Sequence, residues 1–170
     1  MRTAAITQDS LSVILRALMR SNRLACLVSL ETGLRISDVL NLKTEQLQKG
    51  NRICVKDRKT GKSHRIRLTE KLRTDCLKQS GKIYVFEGRL SNKKPRTRQA
   101  VWKDLSRVAK AFRLTGKAAG ALAPHSMRKT YAKALKENGL STSAIQRALM
   151  HSDPTITMIY TYADELSLRE

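Results

Sequence analysis

Apolar residues recur at intervals of three or four along the first thirty positions, which is the spacing of one face of an α-helix. The members of this pattern are Leu11, Ile14, Leu15, Leu18, Leu24, Leu27 and Val28. A break between two helices is predicted at Ser21 and Asn22, and Gly33 is predicted to end the second helix as its C′ residue. A third, short helix is predicted from about Arg35 to Leu42.

Two β-prone runs follow these helices. Residues 51–57 are NRICVKD and residues 64–68 are HRIRL, separated by a short turn that contains Gly61. Runs of this kind joined by a glycine-bearing turn are typical of an antiparallel hairpin. A third run, KIYVFEG at 82–88, is predicted to be a buried extended segment.

The rest of the chain favours helices again. Thr69 is predicted to cap a helix that runs to about Lys78, and Thr97 a helix that runs through Phe112. Further helices are predicted at 126–138, 142–150 and 154–163. The expected fold class is mainly α with a small antiparallel β-sheet (α+β), in a single domain over residues 1–170.

The charge of the chain indicates the class of its partner. The chain has 34 Lys and Arg against 14 Asp and Glu, a formal net charge of +20, and such an imbalance favours a polyanion. We prefer nucleic acid to a membrane surface. The sequence has no apolar run that could span a bilayer, no signal peptide and no amphipathic terminal helix with aromatic anchors.

The basic residues are concentrated in two blocks, 49–67 and 89–117, each with a single acid. A charge run is often only a solvated face, so neither block alone marks a contact surface. Aromatic residues make up only 4% of the chain, which favours a duplex held by its phosphates over stacked single strands. Three cysteines without CxxC spacing favour a reducing cytoplasm over a disulfide framework or a zinc site.

His151 and Tyr160 lie nine residues apart near the C-terminal end of the sequence. On one continuous helix, nine residues at about 100° each would place them on opposite faces. Pro154 is incompatible with that helix, and Asp153 followed by Pro154 is typical of a new helix start. The new helix can bring Tyr160 back toward His151.

Two arginines are placed against the helix dipole. Arg35 opens the third predicted helix, and Arg128 follows His125 by three residues in a helix that we predict Ser126 to cap. In the first turn the macrodipole disfavours a cation by about 0.3–1 kcal/mol. An anion held by the helix N-termini and both guanidinium groups would offset this cost, because the arginine fork matches phosphate oxygens. The alternative is that Arg35 pairs with Asp38 and that Arg128 is exposed.

The order of these groups resembles the catalytic domain of the tyrosine recombinases, the phage integrase family. The matching segments are TGLRISDVLNL, KTGKSHRIRL, PHSMRKTYA and LMHSDPTITMIYTYA. The resemblance implies two arginines that clamp the scissile phosphate, a lysine that protonates the leaving 5′ oxygen, two supporting histidines and a tyrosine nucleophile. The catalytic residues it implies are Arg35, Lys59, His125, Arg128, His151 and Tyr160.

The implied reaction is site-specific DNA recombination through a 3′-phosphotyrosyl intermediate, with rejoining that needs neither ATP nor a metal. A tyrosine with a pKa near 10 is a weak nucleophile, so a neighbouring base or cationic field must activate it. We expect no cofactor, and the expected partners are double-stranded DNA and other copies of the protein in a synaptic assembly. The predicted DNA-binding residues are Lys56, Arg58, Lys62, Arg65, Lys93, Lys94, Arg96, Arg98 and Lys129.

Several alternatives stay open from the sequence. Lys62 shares a turn with Lys59, and Tyr162 competes with Tyr160, although two residues rotate a helical side chain by about 200° so that only one can face the site. The family's N-terminal clamp domain is expected to be absent from this chain, which is then either a fragment or a minimal protein. A type IB topoisomerase-like enzyme and a non-cutting DNA-binding module are the alternative functions.

The chain also departs from the resembling family at two positions. Met150 stands where relatives often carry glycine before the histidine, and Lys129 stands where many carry a second histidine after the arginine. Neither change removes a catalytic group, but Met150 can alter how the backbone approaches His151.

Overall fold

The computed structural model describes residues 8–56, 61, 63–112, 122–150 and 155–158. Helices dominate these residues, and four short strands form two separate sheets. In chain order the elements are α1 (Gln8–Ala17), α2 (Arg20–Thr32), α3 (Ile36–Leu40), α4 (Thr44–Gln48), β1 (Arg52–Lys56), β2 (Ser63–Arg67), α5 (Glu70–Leu77), β3 (Glu87–Gly88), β4 (Ser91–Pro95), α6 (Arg98–Ala111), α7 (Pro124–Glu137) and α8 (Thr142–Leu149). The predicted α+β class is confirmed.

The break between α1 and α2 lies at Leu18 and Met19, so the prediction at Ser21 and Asn22 was wrong. A distant carboxylate explains the difference. The backbone N–H of Met19 donates to Asp104 Oδ2 at 2.9 Å, and Asn22 Nδ2 donates to the same oxygen at 2.7 Å. Because Asp104 accepts hydrogen bonds from both Met19 and Asn22, the chain can turn at Met19 and continue as helix through Ser21 and Asn22.

Helix α2 is at the centre of the fold and packs against α3, α5, α6 and α7. The main hydrophobic core runs from α1 through α6 and reaches Met127 at the start of α7. A second group, here named the α7–α8 cluster, consists of the buried Ala132, Ile145 and Leu149 with Tyr131 and Leu135 packed against it. Helix α8 therefore docks on α7 through a small core of its own.

The predicted hairpin is confirmed as the antiparallel pair β1–β2, with Ile53 opposite Ile66 and Val55 opposite His64. Ile53, Val55 and Ile66 are buried, while the alternate positions of both strands are exposed. The hairpin thus turns its apolar face to the core and its charged face outward, as the period of two in a strand requires.

A second sheet, β3–β4, was not expected from the sequence. The segment at 82–88 does bury Val85 and Phe86 as predicted. It then pairs through Glu87 and Gly88 with β4, whose sequence SNKKP carries no apolar alternation. Such a strand has no pattern to reveal it, because pairing with its neighbour rather than burial of its side chains defines it.

Helix caps were predicted with mixed success. The hydroxyls of Thr69 and Thr97 accept hydrogen bonds from the third residue beyond them, which confirms both as N-caps. Ser126 is not a cap, because α7 begins at Pro124 and Ser126 is its third residue. The Ser126 hydroxyl instead accepts the backbone N–H of Ala123 at 3.1 Å.

None of the helices in the described part of the chain has the length and apolar character needed to cross a bilayer.

Candidate active site

Arg128 is buried at the centre of the candidate site, with 2% of its surface exposed. Its Nη1 donates to the carbonyl oxygen of Gly33 at 2.7 Å, and its Nη2 donates to the carbonyl oxygen of Leu149. Gly33 follows the last residue of α2 in a left-handed conformation, and Leu149 is the last residue of α8. One guanidinium group therefore joins the C-terminal ends of two helices.

The cost of placing the cation Arg128 in α7 is offset by the ends of two other helices. The prediction placed it in the first turn of its helix, but it is the fifth residue of α7. The partial negative charge at the C-terminal ends of α2 and α8 stabilises the guanidinium, since the last carbonyls of a helix attract cations. The alternative of an exposed Arg128 is wrong. A bound anion is therefore not the sole source of negative charge around Arg128, because the carbonyl oxygens of Gly33 and Leu149 supply part of it.

Arg35 occupies the N-cap position of α3, in an extended conformation, with its side chain half-buried. Its backbone carbonyl accepts the N–H groups of Asp38 at 2.8 Å and Val39 at 3.0 Å. The left-handed turn at Gly33, with φ of 69°, ends α2 and lets the chain start α3 within three residues. The backbone of Arg35 is thereby held at the start of α3.

His125 is the second residue of α7 and lies among cations. Partial burial of the imidazole lowers the pKa of His125 below its usual value, and the charges of Arg128, Arg98, Arg35 and Lys129 lower it further. These four cations are therefore near enough to the imidazole for their charges to act on it. The structure brings together three of the predicted catalytic residues, Arg35, His125 and Arg128, and adds Arg98 and Lys129 from the predicted DNA-binding set.

The other predicted catalytic residues, Lys59, His151 and Tyr160, lie outside the described residues, as do the predicted DNA contacts Arg58 and Lys62. Residues 155–158 are helical, within the helix predicted at 154–163. In that short stretch Thr157 is fully buried and Met158 is exposed.

Met150 caps α8 in a left-handed conformation, with φ of 51° and ψ of 41°. Among the described residues it is the one non-glycine with a positive φ. A side chain raises the energy of this conformation because its Cβ approaches the backbone, and glycine avoids that contact. The departure from glycine noted in the sequence therefore has a cost in stability.

We expect Met150→Gly to raise the free energy of unfolding by about 1 kcal/mol relative to Met150→Ala. Alanine is the matched control because it removes the same side-chain atoms beyond Cβ but keeps the strained Cβ. Urea denaturation of the two variants measures the difference. Equal stability of glycine and alanine at this position would contradict a strained cap.

The exposed face of β1–β2 is strongly basic. Its outward residues include Arg52, Lys56, Arg65 and Arg67, and Arg52 lies directly opposite Arg67 in the strand register. Opposed like charges destabilise a sheet, so this face is suited to an anionic partner. Lys56 and Arg65 are among the predicted DNA-binding residues. Arg52 and Arg67 are not, although the two-residue alternation of the strands places them on the same face.

The second basic block divides into exposed and anchored residues. Lys93 and Lys94 on β4 and Arg98 at the start of α6 are exposed. Arg96 is different, because its Nε donates to the Oδ1 of the buried Asn22 at 2.6 Å. Arg96 thus also holds β4 against α2, which its place in a basic run did not predict.

Comparisons with known proteins show the family of the chain. A family model described as the phage integrase family matches residues 4–166. Tyrosine recombinase XerA of Pyrococcus furiosus is 28% identical to the chain over 98% of its length and 59% of the relative. Tyrosine recombinase XerD of Staphylococcus saprophyticus is 28% identical over 82% of this chain and 49% of the relative. The chain thus spans about half the length of these curated relatives.

The fold has solved counterparts. The crystal structure of the XerH site-specific recombinase bound to a palindromic difH substrate matches with a TM-score of 0.73 at 19% identity. The match covers 99% of this chain and 52% of that one. At this identity the likeness establishes a shared architecture, and the arrangement of helices and small sheets described above is that architecture.

Proposed function

Because the chain belongs to the phage integrase family, we propose that it cleaves and rejoins DNA as a tyrosine-type site-specific recombinase. One observation carries the proposal: Arg35, which is distant in sequence from His125 and Arg128, joins them near one end of α7 in a field of further cations. The family match also extends through His151 and Tyr160. A phosphodiester is the substrate group that such a cationic site fits best.

In the proposed reaction Tyr160 gives its phenolic proton to a neighbouring base, and its phenolic oxygen attacks the scissile phosphorus. A bond forms from Tyr160 to the 3′ phosphate, the bond to the 5′ oxygen breaks, and Lys59 gives that oxygen its proton. Arg35 and Arg128 stabilise the charge that develops on the phosphoryl oxygens. A free 5′ hydroxyl then returns a proton to Lys59 and attacks the phosphotyrosine. The bond to Tyr160 breaks and the phenol regains its proton, so the DNA backbone is restored without ATP.

The environment of His125 suits a neutral hydrogen-bond donor to the scissile phosphate. A lowered pKa keeps the imidazole of His125 neutral near pH 7, so it can donate one hydrogen bond to a phosphate oxygen without adding charge. The same surrounding cations attract the phosphate. Once a phosphate is bound, its negative charge opposes their effect and raises the pKa of His125 again.

We infer that double-stranded DNA is held by the exposed cations of β1–β2, β4 and α6, with other copies of the protein joining in a synaptic assembly. Binding through many lysine and arginine contacts releases counterions, so affinity is expected to fall steeply with salt. We place the protein in the cytoplasm, on DNA.

Covalent trapping on nicked suicide duplexes, made from the flanks of the encoding element, tests the proposal. Wild-type protein is expected to form a denaturation-resistant adduct, Tyr160→Phe to form none, and Tyr162→Phe, the matched control two residues away, to retain it. The phenol oxygen is the nucleophile, so its removal leaves no covalent route. The proposal fails if wild-type protein binds these duplexes without an adduct, or if Tyr160→Phe still forms one.

A further inference from the structure

Arg128 and Tyr131, on successive turns of α7, both lie against Gly33 and the end of α8. Arg128 donates to the carbonyls of Gly33 and Leu149. Tyr131, three residues further along, lies against Gly33 so closely that a Cβ there would be 2.5 Å from its Cδ1 and 2.6 Å from its Cε1. The ring also packs on the α7–α8 cluster, which contains Leu149. A side chain at Gly33 would in turn meet Leu149 Cδ2 at 3.2 Å.

Gly33 and Leu149 each lie two positions before a residue of the proposed catalytic set. Arg35 follows Gly33, and His151 follows Leu149. Two residues span at most about 7 Å, so a shift of either point is transmitted to the group that follows it. Tyr131 therefore lies where the placement of both groups is decided.

We propose that Tyr131 is a positioning residue that keeps the segments bearing Arg35 and His151 in register with Arg128. The inference rests on the proposed function, since it assigns Tyr131 a part in the cleavage reaction. The ring occupies the space that a side chain at Gly33 would need, and it packs on the α7–α8 cluster that contains Leu149. The contacting atoms are ring carbons, so the flat ring and not the hydroxyl carries the role.

The contact explains why glycine occupies position 33. Its φ of 69° disfavours a side chain, and the ring of Tyr131 leaves no room for one. Both the backbone conformation and the neighbouring ring therefore require glycine at position 33, which indicates that α7 packs tightly against the end of α2. Tyr131 itself is only half-buried and lies outside the main core, so a general role in core stability accounts poorly for so close a contact.

The first test compares Tyr131→Ala, Tyr131→Phe and the control Leu135→Ala, which truncates another apolar residue packed on the same cluster. Adduct formation is measured in a single turnover at saturating DNA, with duplex affinity measured separately. We expect Tyr131→Ala to slow adduct formation about 100-fold with little change in affinity, because small misplacements of reacting groups have effects of this size. Tyr131→Phe and Leu135→Ala should stay close to wild type.

The second test needs no catalysis. Amide hydrogen exchange is followed at Gly33 and Met150, whose N–H groups bond to Ser29 O at 2.9 Å and Arg147 O at 3.1 Å. Tyr131→Ala should speed exchange at both amides, whereas Leu135→Ala should affect mainly the second. If the alanine variant does not fold, Tyr131→Leu keeps the apolar volume but not the flat ring and takes its place.

The outcomes separate the two proposals. Absence of a wild-type adduct overturns the proposed function. The exchange measurement then still decides whether Tyr131 couples the end of α2 at Gly33 to the end of α8 at Met150. Faster exchange at one amide only, or the same pattern in Leu135→Ala, overturns the coupling. An unchanged rate of adduct formation in Tyr131→Ala overturns the positioning role.

Discussion

Arg128→Met is expected to lower the free energy of unfolding by about 3–5 kcal/mol. The substitution keeps a long side chain of similar reach but removes every donor. The carbonyls of Gly33 and Leu149 both lose the charged hydrogen bond that Arg128 gives them in the interior. A buried acceptor left without its donor costs more than the bond itself contributed, and here two are left at once.

Urea denaturation at pH 7 measures the loss from the transition midpoint and slope. Lys133→Met is the matched control, because it removes one positive charge from an exposed position of the same helix and should change stability by no more than about 0.5 kcal/mol. Unchanged stability of Arg128→Met would mean that water can replace the guanidinium, and that Arg128 serves the substrate alone.

A conservative change at the same position separates charge from geometry. Arg128→Lys keeps the positive charge, but an ammonium group lacks the planar fork that reaches two carbonyls in different helices. We expect its stability to lie between those of wild type and Arg128→Met. Adduct formation should be lost in both variants, because neither side chain can clamp a phosphate and also bind the carbonyls of Gly33 and Leu149.

The behaviour of Arg128 shows what the sequence could and could not predict at the site. The order of arginine, histidine and tyrosine motifs predicts the site residues, since each motif is local in the chain. The partners of Arg128 are 95 and 21 residues away in sequence, and no local pattern encodes such contacts. The sequence therefore predicts candidate residues for the site, but it does not predict how the interior holds the guanidinium of Arg128.

The same limit applies to the fold. The helical spacing of apolar residues and the caps at Thr69 and Thr97 depend on neighbours within a few positions, and these predictions were confirmed. The break before α2 was misplaced because Asp104, far along the chain, supplies the acceptor that ends α1. Strand β4 was missed because its polar residues carry no burial pattern.

Asp104 is also the residue whose replacement should have the next largest effect. It is 5% exposed and accepts hydrogen bonds from Met19 N, Asn22 Nδ2 and the guanidinium of Arg107. Burial alone would raise the pKa of Asp104, but the bonds from Asn22, Arg107 and Met19, together with the charge of Arg107, hold the pKa below its ordinary value. The ionised form is therefore the one that ties α1, α2 and α6 together.

We expect Asp104→Asn to lower the free energy of unfolding by about 2–3 kcal/mol at pH 7, because an amide nitrogen would face donors that now meet a carboxylate. Asp75→Asn, in a half-buried aspartate of α5 outside this network, is the control and should be nearly neutral.

The effect of Asp104→Asn should depend on pH in a defined direction. A carboxylate whose folded pKa is lowered contributes its full stability above the unfolded pKa, near 3.8, and loses it as the pH falls through the folded value. Asparagine does not titrate, so the stability difference between wild type and variant should shrink below about pH 4. Urea denaturation at pH 7 and pH 3 measures it, and a difference that stays constant between them would show that Asp104 acts through packing and not through its charge.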